Sequence, residues 1–306
     1  MPNDDPSVVP TRRAFLQTLA VPLLAPLAAC APRGGSTTDS LAGAIAPADS
    51  GGPPPSGPRL GLSLYTARHA LQRDPDGTLA AIARIGYRDV ETHSFYGRPV
   101  AEMRRLLDRH GLRTPSGHVN GGVAAMRASS ERAFDEAETL GQRFVVLPWL
   151  PESERTADAY RRLAERCNPW GEAARARGLT LVYHHHEFEF DPLPGGRTGW
   201  DIVVDSTDPT LMKLQVDAFW MNKVGRDPVD YVARNRDRVV LLHAKDSTRA
   251  PERKMVDVGA GTIDFRGLVR EARQAGVIAI YVEHDEPADA LGTARAGFEH
   301  LRRLMS

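Results

Sequence analysis

The sequence predicts an α/β fold, a (β/α)8 TIM barrel preceded by a signal peptide and a disordered linker. Three observations carry the prediction. Eight short apolar or β-branched runs recur along the chain, segments of helical periodicity separate them, and glycine repeatedly closes a helix just before the next run. Such alternation builds a parallel sheet covered by helices. The stretch 59–306 also has the length of a usual barrel of this kind, about 250 residues. An open doubly wound sheet is the structural rival, but no Gly-x-Gly-x-x-Gly follows the first strand.

Residues 1–30 read as an address rather than as fold. Thr11-Arg12-Arg13-Ala14-Phe15-Leu16-Gln17 resembles a twin-arginine export signal, with its arginine pair just before an apolar run. The run from Ala14 to Ala29 is too short and too interrupted by proline to span a bilayer. It ends in Leu27-Ala28-Ala29-Cys30, which resembles a lipobox whose cysteine becomes a lipidated N-terminus. Residues 31–58 are rich in Gly, Ser, Pro and Ala and cannot bury enough apolar surface to offset their ordering entropy. They are expected to form a flexible tether from a membrane anchor to the barrel.

The strands are expected at Leu60–Tyr65, Tyr87–Thr92, Arg113–His118, Arg143–Pro148, Thr180–His184, Lys213–Asp217, Val239–His243 and Ile278–Glu283. Apolar residues spaced near i, i+3, i+4 and i+7 predict helices at Val100–His110, Glu131–Leu140, Asp158–Arg177 and Phe265–Ala275. Gly86, Gly111, Gly141, Gly178 and Gly276 sit where a helix C-terminus needs a left-handed backbone.

In such a barrel function collects at the C-terminal ends of the strands. Six strand ends here carry groups that a buried apolar strand has no packing reason to hold. They are Glu91-Thr92-His93, His118, His184-His185-His186-Glu187, Asp217, His243 with Lys245 and Asp246, and Glu283-His284-Asp285. Each group buried unpaired would cost several kcal/mol, so their recurrence at one rim points to a shared polar centre. One divalent ion satisfies carboxylates and imidazoles together. With no thiolate in the set, Mn²⁺ is expected first, and Co²⁺, Zn²⁺, Fe²⁺ or Mg²⁺ also suit oxygen and imidazole donors.

From Leu60 to the C-terminus the chain resembles the xylose-isomerase-like barrel superfamily of sugar isomerases and epimerases, which also includes inosose and dehydroshikimate dehydratases. The resemblance is densest in Gly178–His186, Val216–Trp220, Leu242–Asp246, Val258–Phe265 and Tyr281–Glu283. It implies a metal held by Glu, Asp, His and Glu from strands five to eight. Asp217, His243 and Glu283 match the last three, whereas His184-His185-His186 stands where the epimerases carry Glu-x-His. Aligned position by position, His184 takes the ligand place and His186 the substrate-binding place, with Glu187 as a rival ligand one residue beyond.

The resemblance implies proton abstraction beside a carbonyl, with the metal as Lewis acid. Glu283 is the expected base, His186 or His118 its partner, and Lys245 the group that neutralises developing negative charge. An imidazole with its ordinary pKa near 6.5 suits that exchange at neutral pH. Lys245 could instead be held in an ion pair with Asp246 or Glu189. Glu91 and His118 are expected to contact substrate, and Trp149 and Trp220 offer faces on which a sugar stacks, with Phe219 a weaker third.

Lysine plus arginine equals aspartate plus glutamate at 39 each, so there is no broad electrostatic footprint for nucleic acid. That weighs against a phosphodiesterase of the endonuclease IV type. Cys30 and Cys167 do not make a disulfide framework. The leading expectation is a metal-dependent sugar, keto-sugar or polyol isomerase or epimerase in the periplasm or cell envelope. A lyase acting by dehydration or keto-glycoside elimination, and a non-catalytic sugar-binding lipoprotein, are the alternatives. The export expectation is checked by cell fractionation. Arg12→Lys with Arg13→Lys should retain the chain in the cytoplasm and Cys30→Ala should free it from membranes. An unmodified chain found soluble in the cytoplasm would contradict both signals.

Overall fold

A computed structural model of the protein describes residues 57–306. The twin-arginine segment, the Cys30 lipobox and all but the last two residues of the tether lie outside the described residues. Among those described, no helix is long and apolar enough to cross a membrane.

Eight parallel strands close into a barrel. They are β1 (Arg59–Ser63), β2 (Asp89–Thr92), β3 (Arg113–His118), β4 (Phe144–Leu147), β5 (Thr180–His184), β6 (Met212–Asp217), β7 (Val239–Ala244) and β10 (Ala279–Val282). All eight predicted strands are present: two keep their expected bounds, two gain a residue and four are trimmed by a residue or two at an end. β1 pairs with β10 to complete the ring. A short antiparallel hairpin, β8 (Asp246–Ser247) with β9 (Met255–Val256), is added beyond β7 and was not anticipated.

The helices pack around this ring. Val100–Arg109, Ser130–Leu140, Ala157–Ala176 and Phe265–Ala275 lie within a residue or two of their predicted bounds. Each presents an apolar stripe to the sheet: Met103, Leu106 and Leu107 on the first, Leu268, Val269 and Ala272 on the last. The five glycines read as helix stops all have positive φ. Capping side chains fix the helix starts, such as Thr156 accepting from Ala159 N at 3.2 Å and the reciprocal Thr198–Asp201 box.

Register decides which polar groups meet. Asp217 is the partner of His243, and His184 of Gln215, two residues short of Asp217. Tyr281 is the partner of His243, so Glu283 stands two residues beyond it on the next strand. Between β2 and β3 the register shifts, Asp89 pairing with Arg113 but Glu91 with Ser116. The extra residue on β3 is a bulge, and it brings Ser116 opposite Glu91.

The loop after β7 is organised by Asp246. Its carboxylate accepts from the backbone N–H groups of Ser247 (2.8 Å), Gly259 (2.9 Å), Gly261 (3.0 Å) and Ile263 (3.2 Å). A Cβ on Gly261 would lie 2.3 Å from Asp246 Oδ1, so only glycine permits this approach. The motif Val258–Phe265, one of the densest in the family resemblance, therefore closes the barrel rim and leaves Asp246 no role as a partner of Lys245.

Candidate metal centre and substrate cavity

The three consecutive histidines after β5 divide their work. His184, at the end of the strand, is 2% exposed and belongs to the central cluster. His185 is fully buried against Trp200 and Phe190, with ring centroids 4.8 and 5.2 Å away. Its Nε2 accepts from Asp217 N at 3.1 Å, which leaves the proton on Nδ1, 3.2 Å from the His186 carbonyl. His185 thus ties the end of β5 to the end of β6. His186 faces the cavity, its ring stacked on Phe188 at 5.4 Å.

Asp217 has two tasks. Its Oδ1 caps the following helix by accepting from Trp220 N at 3.0 Å, and Oδ2 points to the centre. There Asp217, His243 and Glu283 each offer one donor atom, and the three lie within 4.8 Å of one another. His118, His184 and His243 form a second such set, and His243 is common to both. Of the four ligands expected from the sequence, Asp217, His243 and Glu283 form one set, and His184 joins them only through His243, in the other. Glu187 lines the cavity but joins neither set.

The buried atoms test whether a cation fits. His184 Nδ1, Asp217 Oδ2, His243 Nδ1 and Glu283 Oε2 are all shut off from solvent and make no well-directed hydrogen bond. They are crowded by charge all the same: His243 Nδ1 touches Glu283 Oε2 and lies 3.8 Å from Asp217 Oδ2. Lys245 Nζ lies 3.2 Å from Asp217 Oδ2, 3.4 Å from Glu283 Oε2 and 2.8 Å from Asp285 Oδ1. Buried oxygen and imidazole donors, clustered and unsatisfied by geometry, fit a divalent ion.

Glu91 requires a correction. It was expected to touch substrate, but it is 1% exposed and does not line the cavity. Its Oε2 contacts His243 Nε2, and Oε1 accepts from Ser116 Oγ at 2.6 Å and Gln215 Nε2 at 2.8 Å. Glu91 lies behind a candidate ligand histidine, holding its Nε2 and turning Nδ1 toward Asp217 and Glu283. Gln215, a fully buried polar residue between Leu214 and Val216, was the sequence signal for such a network. Lys245 pairs with neither Asp246 nor Glu189 but with the three carboxylates of the rim.

The electrostatics follow from burial and these partners. Burial alone would lower the His243 imidazole, but Glu283 and Glu91 hold it up at about 10. Burial opposes ionised Glu283, yet Lys245 and His243 overcome it and hold that carboxyl well below its usual range. Asp217 is pushed up to about 6, burial outweighing Lys245 and His243. Burial drives His184 and His186 far down, and lowers His118 despite Glu91 beside it. His118 and His186 are therefore neutral acceptors at pH 7, rather than groups poised near 6.5 as the sequence suggested.

The cavity beside this cluster holds about 500 Å³. His118, His184, His186, Lys245 and Glu283 form its polar floor, and Trp149 and Trp220 are part of its wall. Trp149 is 49% exposed, at the mouth, with the Arg155 guanidinium 5.0 Å from its ring. Phe219 is buried and plays no part in the lining. Tyr65, His93, Arg155 and Asp285 also line the cavity. His93 and Asp285 were visible at strand ends and Tyr65 closed the expected first strand, whereas Arg155 lies on a loop with no periodic signal.

The chain belongs to the xylose isomerase-like TIM barrel family, whose sequence profile matches residues 79–304. Its relatives include an inosose dehydratase of Lacticaseibacillus casei, 26% identical over 245 residues that cover 67% of this chain and 80% of the relative. A sugar phosphate isomerase/epimerase from Parabacteroides distasonis superimposes with a TM-score of 0.67 at 23% identity, covering 86% of this chain and 98% of that one. The IOLI protein, solved with a zinc atom bound, does so with a TM-score of 0.62 at 13% identity, covering 81% and 98%. At these identities the structural likenesses establish the barrel alone.

Behind His186 lies Glu189, fully buried, accepting from His186 N at 2.7 Å and from the Tyr183 hydroxyl at 3.1 Å. Burial pushes its carboxyl up to about 8 from an ordinary 4.5. The charged form is thus disfavoured in the folded protein. No penalty applies below about pH 4.5, and it grows as pH rises until it is complete above about 8. An amide can keep both partners without charge, its oxygen accepting from His186 N–H and its nitrogen donating to the Tyr183 hydroxyl oxygen. Glu189→Gln should therefore gain stability over the parent, by a margin that widens between those two pH values, as read by thermal melts across pH. A margin independent of pH would contradict the assignment.

Proposed function

We propose that the protein is a divalent-metal-dependent enzyme that removes a proton from a carbon next to a carbonyl in a sugar, keto-sugar or related polyol, as an isomerase or epimerase does. The observation that carries this reading is the set of unsatisfied buried donors on His184, Asp217, His243 and Glu283, opening onto a cavity floored by His186 and Lys245. Those four residues would hold the ion, which would supply Lewis-acid polarisation of the substrate carbonyl. The relatives are in keeping with this chemistry, since their names include isomerases, epimerases and dehydratases, and one was solved with zinc.

The protein's own groups would do the rest. Glu283, kept ionised by Lys245 and His243, is the carboxylate base at the cavity floor. His186 is neutral and hydrogen-bonds a substrate hydroxyl or accepts a proton. The Lys245 ammonium, fixed among three carboxylates and 5.4 Å from the Trp220 ring centroid, stabilises negative charge developing on the substrate.

A second reading is favoured by the His184 position. With an imidazole in place of the strand-five carboxylate, neither donor set holds a second glutamate beside Glu283 to return a proton to the opposite side of the carbon. Loss of a leaving group after proton abstraction needs no such partner, so a dehydratase or other lyase of keto-sugars uses the same machinery. The inosose dehydratase relatives accord with it.

Both readings begin with the same step. The full chain, loaded with Mn²⁺ or Zn²⁺ and incubated in deuterated water with a panel of sugars and 3-keto-sugars, should place deuterium on carbon. Glu283→Gln should slow that exchange by about 10²- to 10⁴-fold, and chelation should abolish it. A protein carrying stoichiometric metal that binds these sugars without exchange would be a binding protein, contrary to the proposal.

A further inference from the structure

His118 stands where a substrate contact was expected, yet it is suspended like a metal ligand. Its Nε2 lies 3.2 Å from Gln215 Oε1 and 3.4 Å from Glu91 Oε2. Gln215 presents its amide nitrogen to Glu91 Oε1, so its oxygen is left to accept, and the proton of His118 sits on Nε2. The lone pair is then on Nδ1. His243 is arranged in the same way, with Nε2 on Glu91 and Nδ1 toward the acids. The two rings are parallel within 9°, with centroids 5.6 Å apart. His184 completes the group, its ring 5.1 Å from His118 and 4.7 Å from His243, and one donor atom from each of the three falls within 4.8 Å of the others.

We propose that His118 is itself a metal donor, so that the imidazoles of His118, His184 and His243 offer one set of donors to the ion, joined through His243 to the set of Asp217 and Glu283. The inference rests on the metal-dependent reading above and goes beyond it. Two imidazoles together take the place of the glutamate missing from strand five, and Glu91 backs two ligands rather than one. The consequence is selectivity. Replacing carboxylate by imidazole favours Zn²⁺, Co²⁺ and Fe²⁺ over Mn²⁺ and Mg²⁺, because imidazole is the softer donor and the later metals bind it more strongly. The centre should then prefer Zn²⁺ to Mn²⁺ by more than a site of carboxylates and one histidine would.

The test uses the full chain stripped of metal and titrated separately with Zn²⁺ and Mn²⁺ against a competing chelator, with visible absorption of the Co²⁺ form as a second readout. His118→Ala should weaken Zn²⁺ binding by on the order of tenfold to a hundredfold and Mn²⁺ binding by less. It should also change the intensity of the Co²⁺ d–d bands, since a donor has been lost. His118→Asn serves if the alanine variant does not fold. A variant that binds Zn²⁺ as the parent does, with an unchanged Co²⁺ spectrum, would overturn the assignment of His118 while leaving the metal centre in place. A parent protein that binds none of the three ions would overturn the metal-dependent reading, and this inference with it.

Discussion

Glu91 is a carboxylate buried in the middle of a barrel, and the rest of the site depends on how it is satisfied. Left alone there it would cost several kcal/mol. Burial pulls its carboxyl up, but His243 and His118 outweigh that and keep it ionised. Its two oxygens reach a hydroxyl from β3, an amide from β6 and imidazoles from β3 and β7. One charge thus ties β2 to three other strands. The same contacts hold the His243 ring by its Nε2, so that Nδ1 faces Asp217 and Glu283. The β2–β3 bulge that turns Ser116 toward Glu91 serves this arrangement.

Above that foundation the charges are in tension. Asp217 and Glu283 are both buried, and Lys245 and His243 balance them without well-directed hydrogen bonds to the atoms that face the centre. A site that is electrostatically balanced but geometrically unsatisfied is prepared to accept a cation without rebuilding its scaffold. His185, tied to Asp217 N and the His186 carbonyl, and Asp217, capping its own helix, hold the donors by interactions that owe nothing to the ion.

The barrel was legible in the sequence because its signals are local: apolar runs of strand length, helical periodicity and a glycine after each of five helices. The candidate ligand positions were legible because each ends a strand, where a charged or imidazole group has no apolar reason to be. What the sequence could not convey was direction and register. Glu91 and His118 read alike, as polar groups on one rim, but the bulge sends the first under the cluster and leaves the second on the cavity floor. Lys245 could be seen to need an acid, though not that Asp246 is occupied by four backbone N–H groups. Arg155 lies on a loop whose course follows from tertiary packing alone.

The central claim is that Glu91 positions the metal ligands while lying out of reach of substrate. The most direct measurement is the metal affinity of Glu91→Gln beside its thermal stability. Both imidazole Nε2 atoms lie on one oxygen of Glu91 and the Gln215 amide nitrogen on the other, so the amide removes the charge and must set its N–H groups either against Gln215 or against both imidazoles. Zn²⁺ affinity should fall by about tenfold to a hundredfold while the barrel still melts cooperatively. If Glu91→Gln binds Zn²⁺ as tightly as the parent and loses only affinity for sugar, Glu91 is a substrate contact after all and the account of this centre is wrong.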